Sequence, residues 1–311
     1  VSTPTEPVDH AQRDDTITVS SYTTVLGRRS LAEADFRAYW RDVHGPLCSR
    51  VPGLGWYVQH HFARHHDAHL WPLPDGVERL AGYELDGMVE IGWRDADAQA
   101  VFTEASGILF SDEQNVFEET AAYPLPTGST TLVDRTPDPT PNGADPVDRL
   151  HVHLGVRPET RDAVVTTLEE GFRELAGRTP DLLKVRLHPL EPHDNSTPNP
   201  PAPGVAHTVP TGRVDLVAVE VAFTDPLARR RALEGEPFRA VNAALAGLVT
   251  HVTAFAVTGV HTFVRDGRLT DAGLRGSRVA ELITSFAALN QVDDDVRHLM
   301  RTGTLPSHPG A

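Results

Sequence analysis

His44 stands near the end of the stretch FRAYWRDVHGPL, residues 36–47. Phe36, Tyr39 or Trp40, Val43 and Leu47 recur at spacings of three and four, which predicts an amphipathic helix. Gly45-Pro46 predicts an abrupt stop, because proline cannot donate to the helix ladder and glycine frees the turn. His44 would then sit on a last turn beside a break, where its imidazole can project into a cleft and move protons near neutrality. A histidine there also complements the negative end of the helix dipole. Cys48 lies four residues on. Pro46 interrupts the helix between them, and a lone cysteine is more often an inert buried thiol than half of a Cys–His nucleophile. His60, His61, His65, His66 and His69, with Asp67, supply metal-ligand types at H-x-x-x-H and H-x-x-H spacings. They span a strand end and a loop, and adjacent strand residues point to opposite faces. A solvated histidine-rich loop is expected, with no metal site and no cofactor. No P-loop, no G-x-G-x-x-G after a strand and no G-x-S-x-G occurs, so nucleotide cofactors are unsupported.

These residues must be positioned by a chain of 311 residues, 40% hydrophobic and 23% charged, a composition that suits about two domains. The formal net charge of -15 argues against a nucleic-acid partner. No apolar run approaches the roughly 20 residues that span a bilayer, and no secretory signal is visible, so a cytoplasmic protein is expected. The single cysteine excludes an intramolecular disulfide.

Residues 1–15 are polar and aperiodic and read as a mobile arm. Strands are expected at Thr16–Leu26, Gly55–Ala63, Met88–Trp93 and Gly128–Val133, with Ser30 and Glu33 as a capping box for the first helix. Asp97–Phe110 and Asp112–Thr120 read as helix. This is the β-α-β-β-α-β order of a ferredoxin-like domain over 16–134. Residues 135–148 carry four prolines and read as a linker. The plan then repeats over 149–264. Strands are expected at Leu150–Arg157, Leu182–Leu190, Val214–Phe223 and His251–Val264, and helices at Glu159–Ala176 and Asp225–Val249. Residues 265–311 read as a turn at Asp266-Gly267 and a helix whose stripe Val279, Leu282, Ile283 and Phe286 must be buried on the barrel or at a subunit contact.

FRAYWRDVHGPL, VPGLGWYVQHHF, LDGMVEIGW and FSDEQNVFEE, in that order, resemble the EthD-like proteins of the dimeric α/β-barrel superfamily, named for ethyl tert-butyl ether degradation. The second half has RELAGRTPDLL where H-G-P would stand, and so looks like a diverged second copy. The resemblance implies an α+β fold in which two ferredoxin-like units pair their sheets around a lumen, here within one chain, as a monomer or a homodimer. Strand parity then sorts the faces. Trp56, Val58, Phe62, Val89, Ile91 and Trp93 are expected under the first-half helices. Val152, Leu154, Val156, Val185, Leu187, Val217, Val219 and Val221 are expected under those of the second half. The opposite registers put Tyr57, Gln59, His61, Met88 and Glu90 in the lumen, with His151, His153, Lys184, Arg186, His188 and Glu220. Glu90 and Glu220 occupy equivalent strand places, as do His61 and His188.

Imidazoles, carboxylates and tyrosine in a partly apolar pocket are equipment for general acid–base catalysis. His44, His61 and Glu90 are the candidate catalytic residues. Tyr57, Gln59, His153, Lys184, Arg186, His188 and Glu220 are the candidate substrate-binding residues, unless Lys184 and Arg186 only pair with Glu90 and Glu220 as a buried network. The expected activity is a cofactor-independent dehydration, decarboxylation or cyclisation of a small hydrophobic, carbonyl-bearing metabolite in a specialised pathway. An oxygenase in the same barrel, cofactor-free or assisted by haem or metal, is the second reading. A non-catalytic binding protein is the third.

Overall fold

The computed structural model describes residues 8–66 and 70–306. In the first half, β1 (Val19–Gly27) leads into α1 (Glu33–Tyr39), a π-helical turn (Trp40–His44) and α2 (Gly45–Ser49). β2 (Trp56–Phe62), β3 (Gly87–Trp93), α3 (Ala96–Ala105), α4 (Gly107–Val116) and β4 (Phe117–Leu125) follow. β5 (Thr130–Asp134) and β6 (Asn142–Ala144) lead to the second half. That half comprises β7 (Asp148–Val156), α5 (Arg161–Arg178), β8 (Leu182–His188), β9 (Leu216–Phe223), α6 (Pro226–Glu234), α7 (Glu236–Leu245) and β10 (Val249–Arg265). The described chain ends with β11 (Arg268–Leu269), α8 (Asp271–Arg275), α9 (Ser277–Ser285) and α10 (Asp294–Thr302).

Each half is ferredoxin-like, with sheet orders β4-β1-β3-β2 and β10-β7-β9-β8. β2 pairs with β10, so the two sheets form one antiparallel surface. On the far side, the loop after β8 runs along β4: Glu191 N–H donates to Pro124 O at 2.9 Å, and Thr120 N–H to Ala206 O at 2.9 Å. The α+β tandem barrel is therefore built within one chain. Three apolar cores follow from it: one under the helices of each half, and one in the shared lumen, where Phe62 stacks on Phe255 with centroids 5.0 Å apart.

Several expectations are corrected. The fourth strand of the first unit is Phe117–Leu125, part of which reads as helix in sequence. Its pairing with β1 outweighs local helix preference, and Ala121, Tyr123 and Leu125 alternate onto the lumen. The strand expected at Gly128–Val133 forms as β5 but pairs with β8 of the other half. The proline-rich connection contributes β6, which pairs with β10. Residues 8–14 are no free arm: Asp14 is buried and accepts from Thr131 at 2.7 Å and Arg265 at 2.9 Å. The first helix begins at Glu33 with Ala32 at its N-cap, not with a Ser30 capping box. The Asp266-Gly267 turn forms, both residues having positive φ. The α9 stripe does not pack on the barrel, since Val279 and Leu282 are each 41% exposed and Phe286 78%; of the two expected places for it, a subunit contact is the one compatible with this exposure. Ser277 and Ala280 turn inward in its place.

The register of β2 is reversed from the expectation. Trp56, Val58 and Phe62 belong to the lumen core, whereas Tyr57 packs under the first-half helices. Every residue of β2 is buried, so polarity carries no signal of which face is which. His60, not His61, is thus the lumen counterpart of His188. The other strands keep the expected parity: Val89 and Trp93 lie under helices, as do Val152, Leu154, Val185, Leu187, Val217, Val219 and Val221.

Candidate active site

The helix expected to stop at Gly45 continues, through a π-helical turn over Trp40–His44. Pro46 supplies no N–H, and its ring would crowd the carbonyl four residues back; the widened turn relieves both problems. Gly45 is required because a Cβ there would collide with the Phe263 ring of β10. H-G-P is thus a device that packs the helix onto the sheet and turns His44 to one side.

His44 lines a cavity of about 400 Å³ between the helices and the outer face of the first-half sheet. Its walls are mainly apolar, with Trp40, Val89, Ile91, Trp93, Phe102 and Leu109 among them. His44 Nδ1 lies 2.8 Å from Asp112 Oδ2 on α4. Asp112 Oδ1 accepts from Tyr39 Oη at 2.6 Å and Asn115 Nδ2 at 3.2 Å. Burial pushes the Asp112 carboxyl up, but the hydrogen bonds from His44 and Tyr39 outweigh it and hold it below its usual range. An ionised Asp112 fixes the tautomer with hydrogen on Nδ1, leaving Nε2 as the basic nitrogen.

A second polar group faces His44 in the same cavity. Burial raises the Glu113 carboxyl above its usual range, against the opposing pull of His44 and Thr120. Thr120 Oγ1 donates to Glu113 Oε2 at 3.2 Å and lies 3.1 Å from His207 Nδ1. His207 and Pro200 come from the loop after β8, so the second half supplies part of the cavity wall.

Of the sequence candidates, Tyr57 joins His44 in this cavity. Its phenol accepts from Gln59 Nε2 at 2.8 Å, and burial keeps its pKa well above the ordinary value. His61 lies behind the Trp40 ring, stacked at 4.1 Å, with Gln59 Oε1 3.0 Å from its Nε2. Burial and His261 keep it neutral, and it does not line the cavity. Burial likewise pushes the Cys48 thiol up to about 12, which leaves it a poor nucleophile.

Glu90 lies on the opposite sheet face, so the structure does not bring His44, His61 and Glu90 together. It receives Arg186 Nη2 at 2.6 Å and Nε at 3.1 Å, and Arg186 also donates to Thr131 at 2.6 Å. Lys184 Nζ stands 3.8–3.9 Å from Asp14, Asp134 and Glu220, and Arg149 pairs with Glu220. His153 bonds Tyr22 and Tyr83, and His188 Nδ1 meets Ser129 Oγ at 2.8 Å. Arg186 and Lys184 thus stand against Glu90 and Glu220 in a buried ionic network, the pairing noted for them in sequence, and Glu90, Lys184 and Glu220 also line a second cavity of about 290 Å³. His65 and His66 are exposed, and Asp67 and His69 fall outside the described residues. Asp112, Glu113, Thr120 and His207 were not legible as site residues. The first two lie in FSDEQNVFEE, where nothing local separates them from a solvated acidic helix face.

The π-turn, α4 and most of the cavity lining fall within residues 28–118, which match the family model described as the EthD domain, while β1, the end of β4 and the loop after β8 complete the wall. Residues 28–118 are an EthD domain. No curated protein matches the chain by sequence. Among solved structures, a candidate monooxygenase from Fusobacterium nucleatum subsp. nucleatum aligns with TM-score 0.50 and 7% identity, covering 82% of this chain and 97% of its own. An anthrone oxidase-like protein aligns with TM-score 0.50 and 11% identity, covering 80% and 94%. These likenesses extend the shared fold from the EthD domain to the second half. No helix among the described residues is long and apolar enough to cross a membrane.

Proposed function

We propose that the EthD-domain cavity is the active site of a small-molecule enzyme in which His44, oriented by Asp112, is the general base. The observation that carries this is the 2.8 Å contact between His44 Nδ1 and Asp112 at the wall of a largely apolar cavity. The apolar lining suits a substrate of modest size with one ionisable hydroxyl or one acidic C–H beside a carbonyl. His44 Nε2 takes that proton, and Asp112 stabilises the imidazolium so formed. Glu113, whose carboxyl burial shifts above its usual range, is placed to return a proton to the developing oxyanion or to a leaving group.

The first step is shared by cyclisation, elimination and reaction of a carbanion or phenolate with dioxygen. The two fold neighbours are named for oxidising chemistry, which supports the oxygenase reading for the second step over the lyase reading favoured by the sequence. The test is a panel of phenols and enolisable aromatic ketones, followed by proton exchange in deuterated water and by an oxygen electrode. His44→Gln should lower turnover about 100-fold or more, and Asp112→Asn by a smaller factor. Full activity in His44→Gln would remove the acid–base reading. Turnover without oxygen consumption would remove the oxygenase and return the lyase.

A further inference from the structure

The lumen holds groups that the proposed reaction does not use. A ring nitrogen of His60 on β2 lies 3.1 Å from one of His151 on β7. With a carboxylate oxygen of Glu220 on β9, the three candidate ligand atoms lie within 4.8 Å of one another. All three residues are buried. A cavity of about 290 Å³ at the barrel mouth nevertheless reaches His60 and Glu220. We propose that His60, His151 and Glu220 form a binding site for a divalent first-row transition ion of the zinc or cobalt type.

Two imidazoles and one carboxylate are donors for such ions and not for magnesium or calcium, which prefer all-oxygen shells. A nitrogen–nitrogen separation of 3.1 Å also fits two ligands at roughly 2.1 Å from one ion, meeting near a right angle. Glu220 gives Oε1 to Arg149, whereas Oε2 has Lys184 at 3.9 Å. Those two cations oppose a third; Asp145 offsets Arg149, while Asp14, Glu90 and Asp134 in the wider network are shared among Lys184, Arg13, Arg186 and Arg265.

An independent observation lies behind the ligands. His151 Nδ1 is 3.0 Å from Tyr22 Oη, which is 2.7 Å from His153 Nε2, and His153 Nδ1 is 2.7 Å from Tyr83 Oη. This chain can run in either of two consistent directions, and the one that suits an ion is the following. His153 Nδ1–H donates to Tyr83, Tyr22 O–H donates to His153 Nε2, and His151 Nδ1–H donates to Tyr22. His151 Nε2 is then left as a lone pair aimed at His60, which is how a metal-bound histidine is oriented from its outer side. Nearby, His188 Nε2 is buried with no partner among the described residues and stands ready to accept from a metal-bound water.

The site lies on the sheet face opposite the EthD cavity, so its success or failure is separable from the proposed activity. Cobalt titrated into the metal-stripped full chain should give a visible ligand-field band saturating at one equivalent and displaced by zinc. The affinity should fall at least 10-fold in His151→Gln and in Glu220→Gln. It should fall about 10–100-fold in Tyr22→Phe, and should not change in His44→Gln or in the exposed-loop double variant His65→Gln/His66→Gln. No band in the wild-type protein overturns the proposal. So does a band that survives His151→Gln, or one that disappears with the loop histidines. If the lumen variants do not fold, X-ray absorption of the wild-type cobalt complex decides: two imidazoles with a carboxylate oxygen support the site, and an all-oxygen shell overturns it.

Discussion

Individual buried charges in this barrel are neutralised by near neighbours, and that governs what single substitutions do. Arg186 is almost wholly buried and contacts Glu90, Asp14 and Thr131. Arg186→Met leaves Glu90 without its partner cation, whereas Asp14 keeps Arg265 and Lys184, and should cost about 3–5 kcal/mol in urea unfolding. Adding Glu90→Gln should recover part of that loss, and an additive double variant would show that the pair is not coupled. The histidines give a pH dependence of definite sign. Burial lowers His60, His61, His151, His153, His188 and His261 below 6.5, so between that value and the folded pKa the unfolded chain binds more protons. Stability is therefore complete above pH 6.5 and should fall as the pH drops below it, each group contributing up to roughly 1.4 kcal/mol per pH unit. Asp14, held at about 2 by Lys184, Arg186 and Arg265 against its burial, adds a later loss between its ordinary 3.8 and about 2. A melting temperature that stays level from pH 7.5 to 5 would contradict the histidine contribution.

At the scale of elements, the π-turn and α4 act as one unit, because His44 and Tyr39 both bond Asp112 across the cavity end. Gly45→Ala forces a Cβ against Phe263, so either α2 lifts from β10 or the ring moves. Overpacking of this kind should cost about 1–3 kcal/mol and lower the melting temperature. Because His44 precedes Gly45 directly, turnover should drop as well; a variant that melts lower but turns over normally would separate the packing of H-G-P from its chemistry. The loop after β8 is the other element that matters, since it edges β4 and brings His207 to the EthD cavity.

For the whole molecule, the second half closes the sheet that an EthD domain alone would leave open on its lumen face. The C-terminal segment joins this closure through α8: Ala272 and Leu274 are buried, and Arg50 Nη1 donates to Gly273 O at 2.9 Å. Truncation after Arg265 should therefore lower the melting temperature, burial of Leu274 alone being worth roughly 1.5–3 kcal/mol. Truncation after Ser285 should be nearly neutral by comparison, because Phe286 and Leu289 are exposed. Equal melting temperatures for the two truncations would refute the role given to α8.

The sequence by itself determined the two βαββαβ units, the EthD resemblance of the first, the absence of H-G-P from the second, and the choice of His44 as a candidate. Those features rest on local periodicity, turn residues and one compact motif. It also placed Glu90, Arg186 and Glu220 on one face correctly, since β3, β8 and β9 have one register that is clearly apolar. Only the tertiary structure decided the face of His61 and Tyr57, because a strand buried on both sides carries no polarity signal. It alone decided that Phe117–Leu125 is a strand, since pairing with β1 supplies what local propensity does not. The partners of His44 lie 68 residues away at Asp112 and, through His207, in the other half, and no local pattern encodes a contact made by the packing of helix, sheet and loop.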